Sequence, residues 1–250
     1  MLSKSKISLI GSLDNKKFRK QHGLFIAEGK KIILEVLDSA KFEIVDLFLT
    51  SSALKEISAD LLTGIDVTEI SDSELERISL LTTPSFGLAL LNIPKEMTPR
   101  VPQFNEVILM LDSVRDPGNL GTIIRLCDWF GVSQIICSEE TVDVYSPKVI
   151  QASMGSFCRV NIFYSDLISQ LQSLEKNVRI YATVLNGTPL QQIQKSKPSV
   201  IIIGNESHGI SKSILGFVTD KITIESARSS EAESLNAAMA AGIVLYEFRR

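Results

Sequence analysis

The sequence predicts an α/β protein, with a parallel-sheet domain in its second part and a small αβ unit ahead of it. Three observations carry this. Short apolar runs alternate with helical patterns along the chain, the rhythm of strand–helix–strand units. Two runs, Val107–Leu111 and Val200–Ile203, are continuously apolar, as strands buried on both faces are. The stretch 93–104, IPKEMTPRVPQF, holds Pro94, Pro99 and Pro102, which continue neither a helix nor a central strand. It reads as a linker between a domain over 1–92 and one over 105–250.

In the first domain, helical patterns cover Lys4–Gly11 and Asn15–Gln21, and Leu24–Ala27 reads as a short strand. Gly29–Asp38 follows as a helix, Ile44–Leu49 as a strand, Ser51–Leu61 as a helix and Val67–Ile70 as a strand. Ser71–Leu80 is a helix with Ser71 as cap and Glu74 at the capping-box position. Gly87–Asn92 closes the unit as a strand.

The second domain opens with VILMLDSVRDPGNLGTIIRLCDWF, residues 107–130. Strand Val107–Leu111 leads into a loop with the turn signal Pro117-Gly118, and Asn119 stands as cap of a helix from Leu120 to about Phe130. Strands follow at Gln134–Cys137, Val160–Phe163, Arg179–Leu185, Val200–Ile203 and Ile222–Ile224. Helices are expected at Pro147–Phe157, with Pro147 in the first turn, at Asp166–Leu174 and from about Leu235 to Arg249.

With 250 residues and an ordinary apolar fraction, a full core can form. No apolar run approaches the ~18 residues of a membrane helix. The start, MLSKSKISLIGSLDNKK, lacks a signal-peptide core, so a cytoplasmic protein is expected. Cys127, Cys137 and Cys158 are odd in number, widely spaced and set in apolar segments; they read as buried thiols, and no metal site is expected. The formal net charge of −3 argues against a nucleic-acid partner, but its distribution is uneven. Lys4, Lys6, Lys16, Lys17, Arg19, Lys20, Lys30 and Lys31 face only Asp14 and Glu28. A local basic face of this kind binds phosphates on an acidic protein, or is merely solvated.

Three loops follow strands: DSVRDPGNLG, GNESHGIS and ESARSSEAESLN. In an open parallel sheet such loops gather where ligands bind. Each residue has an ordinary reading of its own. Arg125 lies off the apolar stripe Ile123, Leu126, Cys127 and Phe130, and reads as a surface Arg stacked on Trp129. Glu206 is a turn residue between Gly204 and Gly209, His208 has no metal partners at ligand spacing, and Ser234 is a helix cap. The last helix carries Ala237, Ala238, Ala240, Ala241 and Gly242, which permit close packing.

Taken together, NLGTIIR fits NxGxxxR, GNESHG fits GxExxG, and ESLNAAMAAGIVLYE is similar to a closing ESLN-plus-helix motif. In this order they resemble the SpoU (TrmH-type) RNA ribose 2′-O-methyltransferases of the SPOUT superfamily. FIAEG, residues 25–29, matches the opening of that family's RNA-binding substrate domain, so the resemblance covers nearly the whole chain. It implies a deep trefoil knot in the second domain, a homodimer through that domain, S-adenosylmethionine as cofactor and RNA as partner. Ribosomal RNA is favoured over transfer RNA. It also implies site residues: Asn119, Arg125, Glu206, Ser234 and Asn236 in catalysis, and Val184, Leu185, Asn186, Gly187, Gly204, Ile224 and Leu235 around the cofactor. Lys16, Lys17, Arg19, Lys20, Lys30 and Lys31 are the expected RNA contacts. The chain departs from the family where Ile224 is followed by Glu225 rather than Pro, and where ESARSSEAE lacks a Gly.

The implied reaction needs no metal, because a sulfonium is already an activated leaving group. The protein must align the reacting atoms and help remove a proton. Arg125 is either the base, against its high intrinsic pKa, or a bidentate phosphate anchor. The rival readings are a non-catalytic RNA-binding protein and a Rossmann-type oxidoreductase; the latter lacks a GxGxxG after any expected strand.

Overall fold

The computed structural model describes residues 2–95, 98–227 and 232–249. Packing gathers the chain into two units, Met1–Lys95 with Asp143–Arg159, and Glu96–Val142 with Val160–Arg250. Residues 96–97 of the expected linker and 228–231 of the third loop lie outside the described residues. Among the described residues no helix is long and apolar enough to cross a membrane.

The first unit is built on strands β1 (Leu24–Glu28), β2 (Ile44–Thr50), β3 (Val67–Ile70) and β4 (Gly87–Asn92), in the order β1-β4-β2-β3. Only β2 and β3 pair in parallel. Helices α1 (Lys4–Ser12), α2 (Lys16–His22), α3 (Lys30–Ser39), α4 (Ser51–Glu56) and α5 (Asp72–Ile78) flank it. Ile10, Leu13, Ile26, Phe48, Leu75 and Leu88 form its core with their neighbours. The capping box of Ser71 and Glu74 is formed. The helix expected over Ser51–Leu61 stops at Glu56, because Ile57 turns extended and is buried; a 3-10 turn follows at Ala59–Leu62.

The segment Asp143–Arg159 completes this unit. Its helix α7 (Pro147–Ser153) is four residues shorter than the Pro147–Phe157 expectation. Met154 and Gly155 take φ +52° and +93°, which end it. A Cβ on Gly155 would lie 2.5 Å from Glu35 Cγ. Past this turn, Phe157 packs against Phe42 and Phe25, with ring centroids 5.3 and 6.2 Å away.

The second unit holds β5 (Val107–Leu111), β6 (Gln134–Cys137), β7 (Asn161–Tyr164), β8 (Arg179–Pro189), β9 (Ser199–Ile203) and β10 (Asp220–Thr223). All pair in parallel, in the order β10-β8-β9-β5-β6-β7. The chain steps from β5 toward β7 and then returns to the other side, so β5 and β9 flank the switch point where a crevice opens. Helices are α6 (Pro117–Phe130), α8 (Leu167–Gln172), the unanticipated short α9 (Lys212–Leu215) and α10 (Ala237–Arg249). Cys127 and Cys137 are fully buried and their thiols are pushed upward by burial; Cys158, in the first unit, is buried as well.

Candidate active site

The site starts from the end of β5. Helix α6 begins at Pro117, three residues before the expected Leu120, because Pro117 supplies a first-turn φ and Asp116 is the cap. The Asp116 carboxylate accepts from the Asn119 N–H at 2.7 Å. Asn119 is therefore not the cap, and its side chain is released. Its Nδ2 donates to Glu206 Oε1 at 2.6 Å, across 87 residues of sequence.

Glu206 sits on a tight hairpin after β9. Asn205 and Gly209 exchange backbone hydrogen bonds of 3.0 and 2.9 Å. Gly209 adopts φ +67°, and a Cβ on Gly204 would fall 2.4 Å from the Gly209 carbonyl carbon, so both glycines are required. Two further bonds tie this hairpin to the loop after β5. Asn205 Nδ2 donates to the Ser113 carbonyl at 2.8 Å, and the Ser211 N–H donates to the buried Asp112 carboxylate at 2.7 Å. Asn205 and Asp112 escaped the sequence reading; an amide between two turn residues, and an acid closing an apolar strand, were the available signals.

A cleft of about 710 Å³ opens beside this hairpin, between the ends of β8, β9 and β10 and the start of α10. Val184, Leu185, Asn186, Gly204, Ile224 and Leu235, all expected cofactor residues, line it. Glu206 and Ser234 line it too. Gly187 does not: it lies where β8 meets β10, and a Cβ there would come within 2.8 Å of the Lys221 and Ile222 backbone. Gly187 is a packing glycine rather than a wall.

Of the two polar residues expected in catalysis, Ser234 lines the cleft and Asn236 takes the cap position of the last helix that the plain reading gave to Ser234. Asn236 caps α10, its Oδ1 accepting from the Met239 N–H at 2.7 Å, and Ser234 faces the cleft. Arg125 stands apart. It is exposed on α6 and is not among the lining residues.

The basic residues of the first unit divide sharply. Arg19 is 3% exposed. Its Nε and Nη2 donate to Asp143 Oδ2 at 3.0 and 2.7 Å, and its Nη1 donates to the Leu13 and Asp14 carbonyls. It is a structural clasp, which corrects the expectation of an RNA contact. Lys30 pairs with Glu56 and Lys31 with Glu35, both at the surface. Lys16, Lys17 and Lys20 are exposed on α2.

Against this geometry stand the likenesses to known proteins. The model of the SpoU rRNA Methylase family matches residues 106–246, and that of the MRM3-like substrate binding domain matches residues 4–89. The 23S rRNA (guanosine(2553)-2′-O)-methyltransferase RlmP of Bacillus subtilis is 32% identical over 239 residues, 95% of this chain and 93% of that protein. The structure of an AdoMet-bound rRNA methyltransferase from Sinorhizobium meliloti superposes with a TM-score of 0.87 at 32% identity, over 100% of this chain and 96% of that one. The SpoU methyltransferase AviRb from Streptomyces viridochromogenes, at 23% identity, shares the fold with a TM-score of 0.83 over 99% of this chain and 97% of its own.

Proposed function

This chain belongs to the SpoU rRNA methylase family, and on that premise we propose that it transfers a methyl group from S-adenosylmethionine to a ribose 2′-OH of ribosomal RNA. The observation that carries the reading is the Asn119–Glu206 bond beside the cleft, which joins two distant motifs at the carboxyl edge of a parallel sheet.

The cleft suits the cofactor in kind. Its volume of about 710 Å³ lies within the range of small-ligand sites, and its walls mix apolar side chains with turn backbone. Leu185, Ile224 and Leu235 would pack on the cofactor, with Val184, Asn186 and Gly204 completing the wall. When bound, S-adenosylmethionine supplies a methyl on a cationic sulfur.

The chain's own residues then align the acceptor. Asn119 holds Glu206 through Oε1, which leaves Oε2 to accept from a ribose hydroxyl. Ser234 offers a hydroxyl on the facing wall. Asn236 acts through α10, whose first turn it caps. Arg125, exposed on α6 and outside the cleft, serves as the phosphate anchor of the target nucleotide rather than as its base. Residues 1–92 serve as the substrate module, joined through 93–104 to a methyltransferase domain over 105–250 that carries the family's trefoil knot and lends its segment Asp143–Arg159 to the packing of the first unit. On the first of these, Lys16, Lys17 and Lys20 engage RNA phosphates.

The test maps 2′-O-methylated nucleotides in RNA from cells with and without the gene, and repeats the transfer with purified protein and labelled cofactor. One ribosomal site should vanish and be restored in vitro. Loss of a transfer-RNA site instead would change the substrate. An unchanged map with intact cofactor binding would make the chain a non-catalytic binder.

A further inference from the structure

The Glu206 hairpin depends on a neighbour, Asn205, that the motif pattern leaves unspecified and that lines the cleft beside Glu206. Asn205 uses both ends of its amide. Oδ1 accepts from the Ser207 N–H at 2.9 Å and the His208 N–H at 3.1 Å, which closes the apex of the turn. Nδ2 donates at 2.8 Å to the carbonyl of Ser113, a residue held at φ +61° in the loop after β5. Reversing the amide would set NH2 against two N–H groups and oxygen against a carbonyl, so the orientation is dictated by its partners. Ser113 is itself fixed, because its N–H donates to Ser138 Oγ at 3.0 Å. One step along that loop, Val114 accepts from the Val142 N–H at 2.9 Å.

The result is a tie at three points, Asn119–Glu206, Asn205–Ser113 and Ser211–Asp112. Asn119 and Glu206 meet through flexible side chains, and Asn205 fixes the Glu206 turn on the loop that leads into the first turn of α6, where Asn119 sits. We propose that Asn205 is a positioning residue for methyl transfer, holding the Glu206 turn on the loop after β5 so that the Asn119–Glu206 pair is preset beside the cleft. The proposal rests on the functional reading above. No smaller side chain spans both sets of partners. Aspartate keeps the acceptor for the apex but loses the donor, and sets a carboxylate against the Ser113 carbonyl.

The test uses the full chain with Asn205→Asp and Asn205→Ala, each also combined with Glu206→Gln. Asn205→Asp should lower kcat by about tenfold to a hundredfold, the scale of a small misplacement of reacting groups, with affinity for S-adenosylmethionine retained. In the Glu206→Gln background the same substitution should change kcat by less than about twofold, because both act through one carboxylate. Hydrogen exchange gives a readout independent of turnover. The Ser207 and His208 amides should exchange faster in Asn205→Ala, and stay at the wild-type rate in Asn205→Asp. Equal losses of kcat in both backgrounds, or a loss confined to cofactor affinity, would overturn the proposal. If the wild-type protein transfers no methyl, the functional reading fails by itself. A crystal structure of Asn205→Ala then decides: an undisturbed Asn119–Glu206 bond rejects the positioning role, and a broken one supports it.

Discussion

Two arginines show how far one side-chain chemistry diverges with burial. Arg19 spends its donors on Asp143 and two carbonyls, while Arg125 stays on the surface of α6. Arg19→Ala should therefore cost about 3 kcal/mol of stability, the scale for breaking a buried pair, as read by denaturant unfolding. RNA affinity lost at unchanged stability would return Arg19 to the RNA surface. Arg125→Ala should leave the melting temperature and cofactor binding unaltered and reduce kcat/KM for RNA by at least about a hundredfold, as one anchor of a reacting group can. Near-normal turnover would remove it from the site. Glu28 makes a pH argument. Burial pushes its carboxyl above the ordinary 4.5, against the opposing bonds from Ser79 and Leu80. A carboxylate with a raised folded-state value contributes most below pH 4.5, where it is protonated folded or unfolded, and its contribution is lost as pH rises through the raised value. Glu28→Gln should thus gain stability over wild type at neutral pH, with the gain shrinking toward pH 4.5 in matched melts; a pH-independent difference would rule this out.

At the scale of elements, the segment 143–159 is the informative case. Phe157 completes the aromatic cluster of the first unit, and Gln151 Nε2 donates to the Glu28 carbonyl at 2.9 Å. Phe157→Ala should cost about 3–5 kcal/mol, as large-to-small changes in cores do. Gly155→Ala should destabilise by at least about 1 kcal/mol through its backbone alone. Calorimetric melts of the full chain check both, and a Gly155→Ala protein as stable as wild type would contradict the close approach to Glu35. Periodicity found nearly every strand, because apolar runs such as Val107–Leu111 are bounded by turn residues. It could not tell that α7 stops at Ser153, since Met154 takes a positive φ that its residue type does not announce, and Gly155 follows it. Cap choice failed as well. Asp116 and Asn119 are equally good caps by composition; Pro117 in the first turn favours Asp116, and the reach of Asn119 to Glu206 completes the choice. Resemblance to a family picked out the candidate residues, of which Glu206, Ser234 and all the expected cofactor residues but Gly187 line one cleft. The amide and carboxylate that brace it, Asn205 and Asp112, depend on loop-to-loop contacts that no local pattern encodes.

For the whole molecule, the second unit exposes large apolar side chains on two adjacent helices. Trp129 is 84% exposed on α6, and Met239 and Tyr246 are 58% and 54% exposed on α10. Met239, Ile243 and Tyr246 fall at the spacing of one helical face. The two helices pack together through small residues, with Gly242 set so that a Cβ would meet Leu126 at 3.4 Å, and Phe130 and Tyr246 lie 6.4 Å apart. A two-fold axis sets the same patch of two copies against each other, the commonest way for identical chains to pair. We therefore propose that a second copy covers it. Sedimentation at about 10 µM should give a dimer, with an interface of the ordinary size, about 800 Å² per partner. Trp129→Asp should shift the chain to monomer without lowering its melting temperature by more than a few degrees, because the residue makes few contacts within its own chain. Arg125 lies one turn from Trp129 on α6, so loss of the dimer should also lower turnover on RNA while cofactor affinity changes less. A wild-type monomer, or a Trp129→Asp dimer with full activity, would show that this face is exposed for some other purpose.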